Sequence, residues 1–269
     1  MNTHKTAMAS FSAIALMAAL SSSAQADLIT NGGFESWGYP GNSALLNNSD
    51  MTAWGTNSGW TFVVPPGKAG AGFAGLDYGY EGIGPDFQLW TATGAGNTGN
   101  GGPDVITPSP DGGNFVASDG NYQIGNIYQT VHGLVVGNSY TLSFYAGLGQ
   151  QYLDSGANTA DWKVTLGGGA AQYANFSDPS HGFSGWVKET MTFTATSTVE
   201  LLSFLAQGGP ASDPPFLFLD GVHLDPTVVT PPTPPSPPPS ATPLPAALFF
   251  VAPALAGVFG FSRRKQNKA

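Results

Sequence analysis

Between residues 27 and 225, glycine or proline interrupts nearly every window long enough to hold a helix. Proline removes a backbone donor and clashes with the preceding turn, and glycine carries too much backbone freedom to sustain one. The apolar residues between these breaks fall in short runs with a period of two. At 140–144, Tyr140, Leu142 and Phe144 share one face, with Thr141, Ser143 and Tyr145 on the other. At 162–166, Trp162, Val164 and Leu166 fall together, as do Val187, Met191 and Phe193 at 187–193. Half-buried strands show this pattern, because successive side chains point to opposite faces. Segments 28–30, 60–64, 87–90, 114–118, 127–131 and 216–224 are further candidate strands. Segment 199–205 is more continuously apolar, as a strand covered on both faces would be. Segments 37–59 and 94–113 read as loops. About nine or ten short strands between turn signals predict an all-β sandwich or barrel.

Such a fold must be held without covalent staples, since the chain has no cysteine. That excludes disulfides, thiolate catalysis and zinc ribbons. Core packing or a bound metal must serve instead. All 17 carboxylates lie between residues 27 and 225, against Lys68, Lys163, Lys188 and no arginine. Nucleic acid and anionic membrane surfaces are therefore not expected partners. Divalent cations and neutral polysaccharides fit this charge balance, and acidity also serves solubility alone.

The two ends carry addresses. His4 and Lys5 precede an apolar run at 13–20, and Ala24-Gln25-Ala26 is a small-x-small cleavage pattern. We expect a signal peptide over 1–26, read by the Sec translocon and cut by signal peptidase after Ala26. The β domain is expected over 27–225. Residues 226–245 hold ten prolines and form a linker. Residues 246–261 are uncharged, and Arg263, Arg264, Lys265 and Lys268 follow. A helix over that stretch reaches only about 24 Å, short of the ~20 residues of a full span. It is marginal as a permanent transmembrane helix and suited to a transient one in the inner membrane, its basic end cytoplasmic.

Thr242, Pro243, Leu244, Pro245 and Ala246, the apolar run and the basic end together resemble the PEP-CTERM sorting tail in its VPLPA-CTERM variant, with Thr242 where that variant has valine. The resemblance covers about 241–269, with the transmembrane helix at about 246–262 and the basic tail at 263–268. It implies an exosortase-type membrane enzyme of a Gram-negative bacterium, cutting near Pro243–Pro245. The product would be released or re-anchored at the cell surface or in the extracellular matrix.

The domain carries a second resemblance. Leu28-Ile-Thr-Asn-Gly-Gly-Phe-Glu35, Gln129-Thr-Val131, Gly137-x-x-Tyr140-x-Leu142-x-Phe144 and Phe218-Leu-Asp-Gly-Val222 are similar to motifs of galactose-binding-like jelly-roll modules. Among these are carbohydrate-binding modules of families 4, 9 and 22. Gly221 departs from the usual closing Leu-Asp-Asp-Val, so any role of that second carboxylate is lost. The implied fold is a jelly-roll β-sandwich, and the implied activity is non-catalytic binding of a carbohydrate such as an exopolysaccharide.

Two sets of site residues follow. Alternation over 216–224 places Asp220 on the apolar face with Phe216, Phe218, Val222 and Leu224. A buried carboxylate must be neutralised, paired or metal-bound, and cationic partners are scarce. Calcium takes such oxygens, and Glu35 is the expected second carboxylate. The resemblance implies the same pair, with backbone oxygens of Asn31 and Gly33 as additions. A strand twist at Gly221 that turns Asp220 to solvent is the competing reading. For sugar stacking the aromatic candidates are Tyr145, Trp186 and Trp90, then Trp54 and Trp60. Tyr145 is favoured because alternation sets it opposite its strand's core residues, whereas Trp162 shares a face with Val164 and Leu166.

No catalytic residue is assigned. Gly182-Phe-Ser-Gly185 lacks nucleophile-elbow spacing, and His132, His181 and His223 lack metalloprotease spacing. Nothing in the sequence pairs two of Glu35, Glu81, Glu189 and Glu200 as a glycosidase would require. The expectation is a non-enzyme. A matrix or biofilm protein without a specific ligand and a polysaccharide-active hydrolase are the alternatives.

Overall fold

Short alternating runs, most of them closed by glycine or proline, pair into two sheets. A computed structural model describes residues 27–36, 51–56, 59–70, 88–210 and 213–227, and all of them lie in the first of two units, residues 1–228. Nine strands form among the described residues: β1 (Thr61–Val64), β2 (Phe115–Asp119), β3 (Asn126–His132), β4 (Ser139–Gln150), β5 (Asn158–Leu166), β6 (Gln172–Asp178), β7 (Val187–Thr194), β8 (Val199–Gly209) and β9 (Pro215–Pro226). Strands β1-β2-β9-β4-β7 make a five-stranded sheet and β3-β8-β5-β6 a four-stranded one. Every ladder is antiparallel.

The main core fills the space between the sheets. Leu142, Phe144, Ala146 and Leu148 of β4 meet Trp162, Val164 and Leu166 of β5, Leu202 and Phe204 of β8, and Leu217 and Leu219 of β9. Phe204 takes Phe144 and Trp162 edge-on, at 5.1 and 5.9 Å between ring centroids, the arrangement that ring quadrupoles favour. Trp162 Nε1 donates to Phe218 O at 2.9 Å, tying one sheet to the other. Each large side chain removed from water here contributes roughly 1.5–3 kcal/mol.

A second apolar cluster lies on the outer face of the five-stranded sheet. Phe62, Val64, Phe115, Ala117, Phe216 and Phe218 are covered there by Ala69, Leu89 and Ile106 from the intervening segments. Gly149 on β4 makes room, since a Cβ there would stand 2.5 Å from the Phe218 ring. The covering loops are tied down by asparagine side chains. Asn97 accepts from Ala69 N and donates to Ile106 O, and Asn100 accepts from Thr91 N and donates to Leu89 O. Segment 94–113 is thus a loop, as its composition predicts, but a pinned one.

Several sequence expectations are corrected. Segment 28–30 forms no ladder strand. It runs beside β9 through Leu28 N to Leu224 O and Val222 N to Gly32 O, and Gln129 clamps Thr30 by donating to its carbonyl and accepting its N–H. At 88–90, only Leu89 forms an isolated bridge, to Gln151. Strand β8 is not covered on both faces, because Val199 and Leu201 are each 44% exposed on the outer side of the four-stranded sheet. β6 gave no clear sequence signal, since only Ala174 and Phe176 of its inward residues are apolar. Pro226, expected to open the linker, instead closes β9, and the signal peptide, the linker beyond Thr227, the sorting tail and Glu81 lie outside the described residues, among which no helix is long and apolar enough to cross a membrane.

Candidate functional site

Asp220 is where the sequence reading and the structure meet most closely, by a different route from the one expected. A bulge between the Ser143–His223 and Tyr145–Asp220 pairs breaks the alternation of β9, with Gly221 at φ +57°. Leu217, Leu219, Val222 and Leu224 therefore face the main core, while Phe216 and Phe218 face the outer cluster. Asp220 shares the parity of Phe216 and Phe218 and so lies on the outer side of the sheet, beneath the covering layer. It does not turn to solvent: its exposure is 0%. Neither carboxylate oxygen has a donor in full hydrogen-bond geometry. Burial pushes its pKa up to about 8. Ser109 and the Gly221 backbone oppose that shift, and the nearby Asp111 and Glu35 charges add to it.

The neighbourhood is acidic and open at the rim. A methyl group on Gly33 would stand 2.9 Å from Asp111 Oδ2 and 4.0 Å from Asp220 Oδ1, so those two carboxylates converge on Gly33. Gly221 is needed for a similar reason, since a Cβ there would meet the Asp111 side chain at 2.9 Å. Glu35 reaches the same region with Oε1 accepting Asn114 N at 2.6 Å and Oε2 accepting Asn114 Nδ2 at 3.2 Å. The Asn31 carbonyl already accepts Trp54 Nε1 and Phe34 N, which leaves it little capacity as a further ligand. Asp111 is the residue that sequence reasoning missed. It sits in a Pro-Asp-Gly-Gly turn with nothing local to link it to residue 220.

Among the described residues, no three His, Asp or Glu side chains stand close enough to hold a metal unaided. A hard cation here would need backbone and hydroxyl oxygens as well, which is how calcium is ordinarily bound. The buried Asp220 oxygens suit a hard cation, and the Ser109 side chain beside them offers a hydroxyl of the kind required.

The three expected stacking residues do not form one platform. Tyr145 is half-buried on the outer face of β4, with the Lys188 ammonium 5.7 Å from its ring centroid. Trp186 packs against Phe115, Phe183 and Phe218 and donates to Thr107 O, so it seals the outer cluster. Trp90 lies 4.0 Å from the His181 ring and 4.6 Å from Tyr152, and donates to Asp154 O. Trp54 is buried against Phe34, and Trp60 packs on Tyr122.

An open groove of about 840 Å³ lies instead along β3, lined by Leu28, Thr30, residues 51–55, Tyr128, Gln129, Thr130 and His132. Tyr128 lies over Gly55, where a Cβ would approach its ring to 2.8 Å, and the two backbones exchange hydrogen bonds. A second recess of about 440 Å³, lined by Asp161, Asn175 and Ser177 among others, opens over β5 and β6 of the same sheet. The volume of the first is in the range of small-ligand sites.

For catalysis, the sharpest pair is Ser155 Oγ and His181 Nε2 at 2.8 Å. Among the described residues no hydrogen bond from that imidazole to a carboxylate orients it, and a nucleophile–base pair ordinarily has such a third group. Glu200 Oε1 is occupied by Thr196 N, Thr196 Oγ1 and Ser197 N as a turn cap, and His223 pairs with Asp27 at 2.6 Å.

No family model matches the chain, and no curated protein matches it. Solved structures do. TmCBM61 in complex with beta-1,4-galactotriose is 14% identical, with a TM-score of 0.39 over 76% of this chain and 100% of its own. The enzymatically active domain of bacteriophage CBA120 tailspike protein 4 is 13% identical, with a TM-score of 0.34 over 75% of this chain and 21% of its own. A structure described as CBM4 is 21% identical, with a TM-score of 0.29 over 53% and 87%. Superpositions this loose say nothing about the binding surface, and the all-β architecture of two antiparallel sheets rests on the chain's own strand pairing.

Proposed function

We propose that this chain is an exported, surface- or matrix-sorted β-sandwich that binds carbohydrate without catalysing its breakdown. The observation that carries the binding reading is the groove along β3. It offers the half-exposed ring of Tyr128 beside Thr30, Thr52, Thr130 and His132, which are polar groups able to orient hydroxyls. A sugar ring stacks its apolar face on such an aromatic and spends its hydroxyls on the polar rim. The export and sorting reading rests on the Ala24–Ala26 site and the tripartite C-terminal tail. A structural calcium at Asp220, with Asp111, Ser109 and Glu35 as neighbours, completes the proposal. It is supported by a carboxylate that burial would otherwise leave without compensation.

A glycan array probed with the full chain tests the binding. The expected result is retention of a neutral polysaccharide, weakened about tenfold or more by Tyr128→Ala, a change of some 1.4 kcal/mol. Retention that ignores Tyr128→Ala would move the site elsewhere. No retention on any glycan would leave a displayed protein without a sugar ligand.

A further inference from the structure

A second group of buried polar atoms lies apart from Asp220, at the end of the sandwich where β4, β5, β6 and the segment before β9 meet. Asn158 opens β5 and Asp178 closes β6, and the two are directly opposed across the ladder. Both share the inward parity of Ala160, Phe176 and the core, and they are 1% and 4% exposed. Asp213, 2% exposed, comes from the segment preceding β9. Gln150, at the end of β4 and fully buried, donates to Asp213 Oδ1 and to Gly156 O. Gly156 is close to the other oxygen, since a Cβ there would stand 2.2 Å from Asp213 Oδ2.

What these groups lack is compensation. Asp178 Oδ1 and Oδ2, Asp213 Oδ2 and Asn158 Oδ1 are all buried without a donor in full hydrogen-bond geometry. Carboxylates at such depth ordinarily have a cationic partner. Among the described residues the one ion pair is His223 with Asp27, towards the opposite end of β9 from Asp213. Burial raises the Asp213 pKa, and the Gln150 hydrogen bond and the His181 charge only oppose that rise. The His181 Nε2 is engaged with Ser155 Oγ, however, and its ring is stacked on Trp90. The amide of Asn158 carries weight of its own. It is no acid, it cannot relieve its burial by taking up a proton, and its oxygen and nitrogen are equally bare.

We propose that Asp178, Asp213 and Asn158 bind a second calcium ion, which fastens the β5–β6 end to the segment before β9. Four side-chain oxygens of three residues are available, and calcium completes six to eight with carbonyls and solvent. A hard oxygen set with no imidazole or thiolate selects calcium over zinc. The rival arrangement is a proton shared between Asp178 and Asp213. Burial and the Asp213 charge push the Asp178 pKa up to about 7, so the rival is chemically real and the experiment must separate the two.

The site shares its loops with a half-buried aromatic group. Gly156 N donates to Ser180 Oγ, and His181 N donates to Gln150 Oε1. The ion would thereby hold 150–156 against 178–181, the two loops that carry Tyr152 and His181 around Trp90.

Calorimetric titration of the chelator-stripped full chain with calcium alone is the test. Wild type should take up one equivalent more than either Asp178→Asn or Asp213→Asn. Asp220→Asn should independently remove the other equivalent. If Asp220→Asn changes nothing while Asp213→Asn removes an equivalent, the Asp220 ion is lost and this one stands. If Asp178→Asn and Asp213→Asn both keep the wild-type stoichiometry, the proposal is overturned and the shared proton takes its place. Should those variants fail to fold, terbium offers a readout that touches no ligand. In Asp220→Asn protein, terbium emission under tryptophan excitation should appear and should fall on Trp90→Phe. Its absence before that substitution would overturn the proposal.

Discussion

At the scale of single residues, the chain's unusual feature is carboxylates buried without cations. Burial raises the pKa of Asp220 to about 8 and of Asp178 to about 7. A carboxyl whose pKa is raised on folding binds its proton more tightly in the native state than in the unfolded one. Stability therefore falls as pH rises from the unfolded value near 4 towards these folded values. In chelator, these groups should make the melting temperature highest near pH 4 and lower it by several degrees by pH 8, at about 2–4 °C for each kcal/mol lost. Excess calcium should abolish the slope, because a bound cation stabilises the ionised form. Differential scanning calorimetry at the two pH values, with and without calcium, reads both. A melting temperature that rises with pH in chelator would contradict the burial of these groups. Asp220 was legible in the sequence because a charge inside Phe-Leu-Phe-Leu-Asp is an anomaly under any register. Asp111 and Asp213 were not, since each lies in a loop whose partner is distant in the chain.

At the scale of elements, strands with strict alternation were recovered from the sequence, and their limits were underestimated. Strand β4 extends to Gln150 rather than stopping near 144, because Gly147 and Gly149 admit Phe183 and Phe218. Those glycines read as breaks when only propensity is considered. The face of Asp220 was misassigned for a related reason: the reading carried one period through Gly221, and the bulge there changes phase. Trp162 shows how the sheets are joined. Its indole is fully buried and donates to Phe218 O. Trp162→Phe should cost about 1–3 kcal/mol through the lost buried hydrogen bond, and Trp162→Ala about 3–5 kcal/mol through the cavity. Urea unfolding monitored by circular dichroism should show both as lower midpoints. Equal midpoints for wild type and Trp162→Phe would mean that the hydrogen bond contributes nothing net.

At the scale of the whole molecule, composition was legible as class and charge, while location rests on the termini. If the tail is processed as its resemblance implies, protein recovered from the native surface should begin at Asp27 and lack the residues from about Ala246 onward. Intact-mass measurement decides this, and a mature chain that retains Arg263 and Arg264 would leave a plain anchor. The bulge at Gly221 has a consequence for anyone wishing to trim this domain. It lets a single strand serve as a wall for two apolar interiors, with Leu217 and Leu219 on one side and Phe216 and Phe218 on the other. Deleting the loops that cover the outer interior would not release a smaller sandwich. It would leave Phe62, Phe115, Phe216 and Phe218 as a greasy surface and open the Asp220 pocket to bulk water. The domain cannot be thinned from that side without exposing this second interior.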